Sequence, residues 1–277
     1  MQGRLSPLID NRIQSFPWQH WEREFSIAEK IGFKLMEWTI DQERLPENPL
    51  LNEVGQRKIL RQCAMHNIQI HSVTGDCFMQ APFWKANGEQ QIRLESDFMN
   101  VVEACSLLNI SYIVVPLVDG GRLENALQYE RLIQFMRDRE LHFLSRKVQI
   151  IFESDFGPNE LSALIDRLNP LVFGINYDVG NSAALGFSPM AEFAAYGHRI
   201  QNVHIKDRLR DGGTVPLGLG CANFNDVFTG LARLNYRGNF ILQTARAEDA
   251  DHVTPLMQYY DMTKSWIRRF GLNESAL

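Results

Sequence analysis

The chain has 277 residues, of which 45% are hydrophobic and 22% charged, and a formal net charge of −5. That composition excludes a disordered or collagen-like polypeptide, and the length suits one barrel of roughly 250 residues better than two average domains. The acidic balance argues against a surface built to track a phosphate backbone, so no nucleic-acid partner is expected.

No stretch approaches the ~18 apolar residues of a membrane span. The opening Met1-Gln-Gly-Arg-Leu-Ser-Pro7 lacks the apolar centre of a signal peptide. Cys63, Cys77, Cys105 and Cys221 are far apart and form no CxxC pair, as expected of free thiols in a reducing compartment. A cytoplasmic protein without a membrane partner is the expectation.

Along the chain, short runs rich in β-branched and aliphatic residues alternate with longer segments of helical period, the signature of a parallel α/β fold. Strands are expected at 1–5, 34–38, 68–72, 112–117, 148–152, 173–177, 200–205 and 239–242, the first of them short. Helices are expected at 18–31, 50–66, 91–108, 123–144, 159–168, 189–196, 223–234 and 254–269. In the third helix Ile92, Leu94, Phe98, Val101, Val102, Cys105 and Leu108 recur every three or four residues, an apolar stripe suited to packing on a barrel. Gly and Pro punctuate the loops, as in Asp119-Gly-Gly121 and Phe156-Gly-Pro158. Eight such units with no linker or charge block predict one domain over residues 1–277, a (β/α)8 TIM barrel.

Four polar residues stand at the ends of apolar runs: Glu153 after Val148-Gln-Ile-Ile-Phe, Asp178 after Phe173-Gly-Ile-Asn-Tyr, His204 after Ile200-Gln-Asn-Val, and Gln243 after Asn239-Phe-Ile-Leu. They are spaced by 25, 26 and 39 positions, each close to one strand-loop-helix-loop unit of roughly 30 residues. Because the C-terminal ends of barrel strands converge on one face, these four would meet around one point. Two carboxylates, one imidazole and one amide oxygen make an open site for one divalent metal ion; Mn²⁺ suits this set best, with Zn²⁺ or Co²⁺ as alternatives. A lone strand histidine is more often structural, and a lone loop carboxylate is as often merely solvated. The assignment therefore rests on the four being in phase.

Other strand ends supply candidates for substrate contact: Glu37 and Trp38 after the second strand, His71 after the third, Asn181 in Asp-Val-Gly-Asn181, Lys206, Asp207 and Arg208 after His204, and Arg246 after the eighth. For Glu37 a loop anchor, and for His71 a satisfied buried histidine, are equally good readings. Phe16, Trp18, Phe83 and Trp84 could wall a sugar pocket, although most aromatics are simply core.

These residues carry a resemblance. His204-Ile-Lys-Asp-Arg208, followed by Val215-Pro-Leu-Gly-Leu-Gly220 and Asn223-Phe224, together with the Phe-Glu153 and Asp178-x-Gly contexts and Met1-Gln-Gly-Arg-Leu5, is similar over nearly the whole chain to the sugar phosphate isomerase/epimerase family of xylose isomerase-like TIM barrels. Apurinic endonucleases are more distant relatives that need a richer histidine cluster. The resemblance implies Glu153, Asp178, His204 and Gln243 as metal ligands and Glu153 as the proton-transfer base, acting through a metal-stabilised enediolate. Family members usually begin their first strand several residues earlier. They also carry glutamate where this chain has Gln243, and several have histidine where it has Asn181.

An amide cannot exchange a proton as a carboxylate can, so the second acid/base of two-base epimerisation is missing from its usual place; Asp155, Asp207, His71 or a bound water are substitutes. The expected activity is metal-dependent isomerisation or epimerisation of a small polyhydroxylated substrate: a sugar, sugar acid or sugar phosphate. The alternatives are a metal-dependent dehydratase or lyase acting on a polyol, which needs one base, and a non-catalytic sugar-binding relative. Relatives are often dimers or tetramers, which leaves a homo-oligomer as an open expectation.

Overall fold

The computed structural model describes residues 4–9, 12–247 and 249–273. Its strands are β1 (Leu35–Ile40), β2 (Gln69–Gly75), β3 (Tyr112–Leu117), β4 (Gln149–Ser154), β5 (Phe173–Asp178), β6 (Ile200–Ile205), β7 (Asp207–Arg208), β8 (Thr214–Val215) and β9 (Asn239–Leu242). Seven form one parallel sheet in the order β1-β2-β3-β4-β5-β6-β9, with β9 returning against β1 to nearly close a barrel. β7 and β8 make a small antiparallel hairpin beyond the exit of β6. The strand expected at 1–5 lies partly outside the described residues, and Arg4 and Leu5, which are described, belong to no strand.

Each barrel strand is followed by helix. β3, Tyr-Ile-Val-Val-Pro-Leu, is buried from its second residue on, as expected of a strand covered on both faces. Outside the strands, Phe83, Phe98, Phe135 and Phe143 pack edge-on or tilted within 4.2 to 6.1 Å, and Trp84 lies fully buried beside them with its indole N–H on the Gly121 carbonyl at 3.1 Å. The expected sugar-facing role of Phe83 and Trp84 thus gives way to a core role. Fully burying one such ring contributes roughly 1.5–3 kcal/mol.

The apolar stripe holds from Leu94 through Leu108, whereas Ile92 is exposed. The expected helix 123–144 divides at Arg139 into Ala126–Asp138 and Glu140–Arg146. A helix the sequence reading does not predict, Val179–Leu185, starts directly at the exit of β5, where the Asp178 side chain caps it by accepting from the Asn181 N–H at 2.8 Å.

TIM-barrel interiors are usually filled by branched apolar side chains. Here the inward positions include Glu37, Ser72, Thr74, Asn176, Asn202 and His204, linked to one another by hydrogen bonds. Strand alternation places them: Asn176 and Asp178 share one face of β5, Asn202 and His204 one face of β6. Among the described residues no helix is long and apolar enough to cross a membrane.

Candidate metal centre at the barrel mouth

β4, β5 and β6 are consecutive in the sheet, and Asp178 pairs directly with His204 in register. That juxtaposition brings Glu153, Asp178 and His204 together, all buried, with ligand-capable atoms within 4.8 Å of one another. His204 Nδ1 lies 3.2 Å from Glu153 Oε2 and 3.8 Å from Asp178 Oδ2. Its other nitrogen, Nε2, is 2.8 Å from Glu37 Oε1. Ser72 and Thr74 donate to the two Glu37 oxygens at 2.6 Å each, and Asn202 adds a bond of 3.2 Å. So held, Glu37 is an acceptor that selects the Nε2–H tautomer and turns the Nδ1 lone pair toward the two carboxylates. A carboxylate behind a histidine in this way is the usual support of a metal-ligating imidazole.

Burial alone would raise the Glu37 carboxyl, but the His204 charge and the bonds from His204, Ser72 and Thr74 outweigh it and hold the group below its ordinary value. Burial would likewise lower His204, yet Glu37, Asp178 and Glu153 together raise it well above the ordinary imidazole value. At Asp178 the penalty of burial is overcome by Lys206 and His204, and the carboxyl sits far below its ordinary range. The cluster is thus one that stabilises a positive charge at Nδ1, whether that charge is a proton or a metal cation.

Glu153 is oriented at both oxygens. Asn176 Nδ2 donates to Oε2 at 2.9 Å and Asn181 Nδ2 to Oε1 at 2.7 Å. Oε2 faces His204, while Oε1 lies on the Asn181 side of a cavity of about 660 Å³ that Glu153, Asn181, Lys206, Arg208, Asp76 and Gln243 help to line. Lys206 Nζ donates to Asp178 Oδ2 at 3.0 Å, and Arg208 Nη1 to Asn181 Oδ1 at 2.8 Å while its Nε and Nη2 grip the Gly212 carbonyl. Gln243, just past β9, is buried and its Oε1 has no hydrogen-bond partner. A buried orphan acceptor is costly, and Gln243 lines the same cavity as Glu153, so this oxygen suits a cation.

Other expected contacts are placed elsewhere. Trp38 points outward from β1, its indole N–H on Asn48 Oδ1 at 2.9 Å and its rings against Phe16 and Trp21; alternation sends Glu37 inward and Trp38 outward. His71 is not at a strand exit, because β2 continues to Gly75. It lies toward the opposite end of the barrel, 3.4 Å from Asn239 Oδ1. Asp207 is fully buried, accepting from the backbone N–H groups of Arg208, Gly218, Gly220 and Ala222 at 2.9 to 3.0 Å. It anchors the loop that follows rather than facing the cavity. Arg246 grips the carbonyls of Ser6 and, at 3.2 Å, Ile13, so it clamps the N-terminal segment. Asp155 is paired with Arg122.

The residues the sequence reading misses are Asn176, Asn202, Asp76 and Gln14. The two asparagines sit two positions before Asp178 and His204, so period-two alternation marks them. Asp76 is marked by Gly75, which ends β2 where Phe78 leaves no room for a side chain. Gln14 has no comparable signal.

The sequence pattern of the xylose isomerase-like TIM barrel matches residues 25–269. The chain belongs to that family. Within the xylose isomerase-like barrels, a Haemophilus influenzae protein provisionally named L-ribulose-5-phosphate 3-epimerase SgbU is 24% identical over 269 residues, covering 89% of this chain and 90% of that one. An inosose dehydratase of Geobacillus kaustophilus is 30% identical over 129 residues, 40% of this chain and 41% of the dehydratase. The D-psicose 3-epimerase of Clostridium cellulolyticum H10, solved with D-tagatose, superposes with a TM-score of 0.74 at 11% identity, over 89% of this chain and 93% of the epimerase. The IOLI protein, solved with a zinc atom, superposes with a TM-score of 0.72 at 14% identity, over 98% of each chain. At such identities the two structural likenesses are likenesses of fold.

Proposed function

We propose that this xylose isomerase-like barrel is a divalent-cation-dependent isomerase or epimerase of a small polyhydroxylated carbonyl compound, with Glu153 as its proton-transfer base. The observation that carries this reading is the convergence of Glu153, Asp178 and His204 with the His204 tautomer set by Glu37. Those three side chains and the Gln243 oxygen would hold the cation, and Mn²⁺ suits two carboxylates, an imidazole and a neutral oxygen. When bound, a cation there would polarise a carbonyl and its neighbouring hydroxyl and so acidify the C–H bond at that carbon.

The protein's own groups do the rest. Glu153 Oε2 lies against His204 and Oε1 against Asn181, and the residue lines the cavity, so one oxygen can serve the cation while the other takes the carbon-bound proton. Asn181, Lys206 and Arg208 line the same cavity and would donate to substrate oxygens. The buried position of the cluster keeps bulk water from the carbanionic carbon. The similarity to an L-ribulose-5-phosphate 3-epimerase over nearly the full length supports a ketose or ketose phosphate.

A second reading, dehydration of a cyclic or open-chain ketopolyol, is favoured by Gln243. With no carboxyl there, one base suffices if the neighbouring hydroxyl leaves as water with a solvent proton, and an inosose dehydratase is among the relatives. Protein purified without chelator should carry about one metal per chain, His204→Ala should carry much less, and wild type in D₂O should place deuterium beside the carbonyl of an accepted ketose. Equal metal in both proteins removes the proposed centre; loss of one water from the product selects the dehydratase reading.

A further inference from the structure

Gln243 raises a question of orientation that a glutamate would not. A carboxylate offers an oxygen whichever way it is turned, whereas an amide offers oxygen one way and an N–H donor the other. An NH₂ group aimed at the cavity would repel a cation. Something must fix the direction of this amide if its oxygen is to be the free end.

A chain of hydrogen bonds supplies that direction. Gln243 Nε2 donates to Gln14 Oε1 at 3.0 Å, and Gln14 Nε2 donates to Asp76 Oδ2 at 2.6 Å. Each amide has one end that accepts and one that donates, so the polarity of one link sets the next. When ionised, the Asp76 carboxylate calls for a donor, which turns the Gln14 NH₂ toward it. The Gln14 oxygen, which also accepts from Arg4 Nη2 at 3.5 Å, is then left to face Gln243, whose NH₂ turns inward to meet it, and the Gln243 oxygen becomes the unpartnered buried atom of a residue that lines the cavity.

The backbone around Gln14 is fixed on both sides. Arg246 Nε donates to the Ile13 carbonyl at 3.2 Å, and the Phe16 N–H donates to Asp41 Oδ2 at 2.8 Å. Asp76, for its part, is held in the short helix that begins directly after β2. Both ends of the relay are therefore anchored to strand exits on opposite flanks of β1.

We infer that Gln14 is a positioning residue, set by Asp76, that fixes the amide of Gln243 with its oxygen toward the Glu153–Asp178–His204 cluster. The inference rests on the cation-site reading above. Gln14 touches neither the cation position nor a reacting atom; it acts through Gln243. The arrangement matches the habit of metal sites in which an outer partner orients a ligand.

The test is Mn²⁺ affinity, measured by calorimetric titration of the chelator-stripped full-length chain, in a double-mutant design. Gln14→Met keeps the length of the side chain and removes both hydrogen bonds, and should weaken Mn²⁺ binding about 10-fold or more, the range typical of outer partners. In the Gln243→Glu background the same substitution should cost nothing or tighten binding, because a carboxylate needs no orienting and no longer faces the Gln14 oxygen. Gln14→Glu combined with Asp76→Asn keeps an acceptor for the Gln243 NH₂ with an amide donor behind it at unchanged net charge, should stay within about threefold of wild type, and stands as the comparison if Gln14→Met melts early. Equal losses in both backgrounds, or a loss in the Gln14→Glu, Asp76→Asn pair as large as in Gln14→Met, overturns the inference while leaving the metal centre intact. A wild-type chain that binds no Mn²⁺, Zn²⁺ or Co²⁺ overturns both.

Discussion

Asp178 and Asp76 are both buried aspartates at strand exits of the same barrel mouth, and their carboxyls are displaced in opposite directions. Burial raises each. At Asp178 it is overcome by Lys206, His204 and the Asn181 backbone N–H, and the group lies well below the ordinary value. At Asp76 burial is reinforced by Asp41 and Glu153 and offset mainly by the Gln14 amide, and the group is raised to about 7. The contrast extends to the walls they belong to. The β4–β6 wall holds titratable groups in direct contact; across the cavity, Gln14 and Gln243 are amides that can orient oxygens but cannot exchange protons. One wall is built of charged groups in contact; in the other, the Gln14–Gln243 amide pair sets polarity, and Asp76 behind it is the group that titrates.

The sharpest way to break that division is to silence the base on the charged wall. Glu153→Gln keeps the size and the neighbouring asparagines but removes the proton acceptor, so solvent-deuterium incorporation at the substrate carbon should fall by about 10² to 10⁴, the usual worth of a general base. Metal content measured alongside separates lost binding from lost proton transfer. Exchange that continues at the wild-type rate would move the base elsewhere, with Asp76 the first candidate because it lines the same cavity.

Much of the charged wall is legible in the sequence, and the opposite wall is not, for a physical reason. Glu153, Asp178 and His204 each end an apolar run, and the β/α repeat guarantees that such ends converge. Seven strands can be read from β-branched runs for the same reason. Local patterning fixes them. Gln14 sits in a segment of no period, held by Arg246 from 233 positions away, and Asp76 is displaced from the expected exit by three further residues of β2 beyond Ser72. Trp38 and Asp207 are adjacent to inward positions and were expected at the site; which neighbour faces in is set by a strand's register, and a one-residue difference reverses it.

The two aspartates also predict different responses to pH. For Asp76 the folded chain holds the proton more tightly than the unfolded chain does. Its contribution, relative to high pH, is therefore fully present below the ordinary value of 3.8 and is lost as pH rises through about 7. Asp76→Asn lacks this term. The stability difference, wild type minus variant, should fall by up to about 4 kcal/mol between pH 4 and pH 8, read as melting temperatures that converge or cross in metal-free protein. Because His204 and Asp178 titrate alike in both proteins, their effects cancel in the difference. A difference that stays flat across this window means that Asp76 titrates as an ordinary surface carboxylate.

The smallest expected effect comes from giving the amide pair a proton to exchange. Gln243→Glu places a carboxyl where the family resemblance implies a second acid/base and should keep the cation site while raising ketose 3-epimerisation, measured on free and phosphorylated ketoses, by about tenfold, the lower end of what acid/base groups contribute once misplacement is allowed for. The gain is held down by Gln14, whose oxygen would then face a carboxylate instead of the Gln243 NH₂. Two acceptors face to face are repulsive unless one carries a proton, so the new glutamate should be raised toward its neutral form. That suits donation of a proton and opposes ligation of a cation. Adding Gln14→Met should relieve the repulsion, and the double variant should then bind Mn²⁺ more tightly than Gln243→Glu alone. A wild type that already epimerises briskly, with Gln243→Glu slower, would show that a second acid already serves the opposite face, with Asp76 on the same cavity the first candidate.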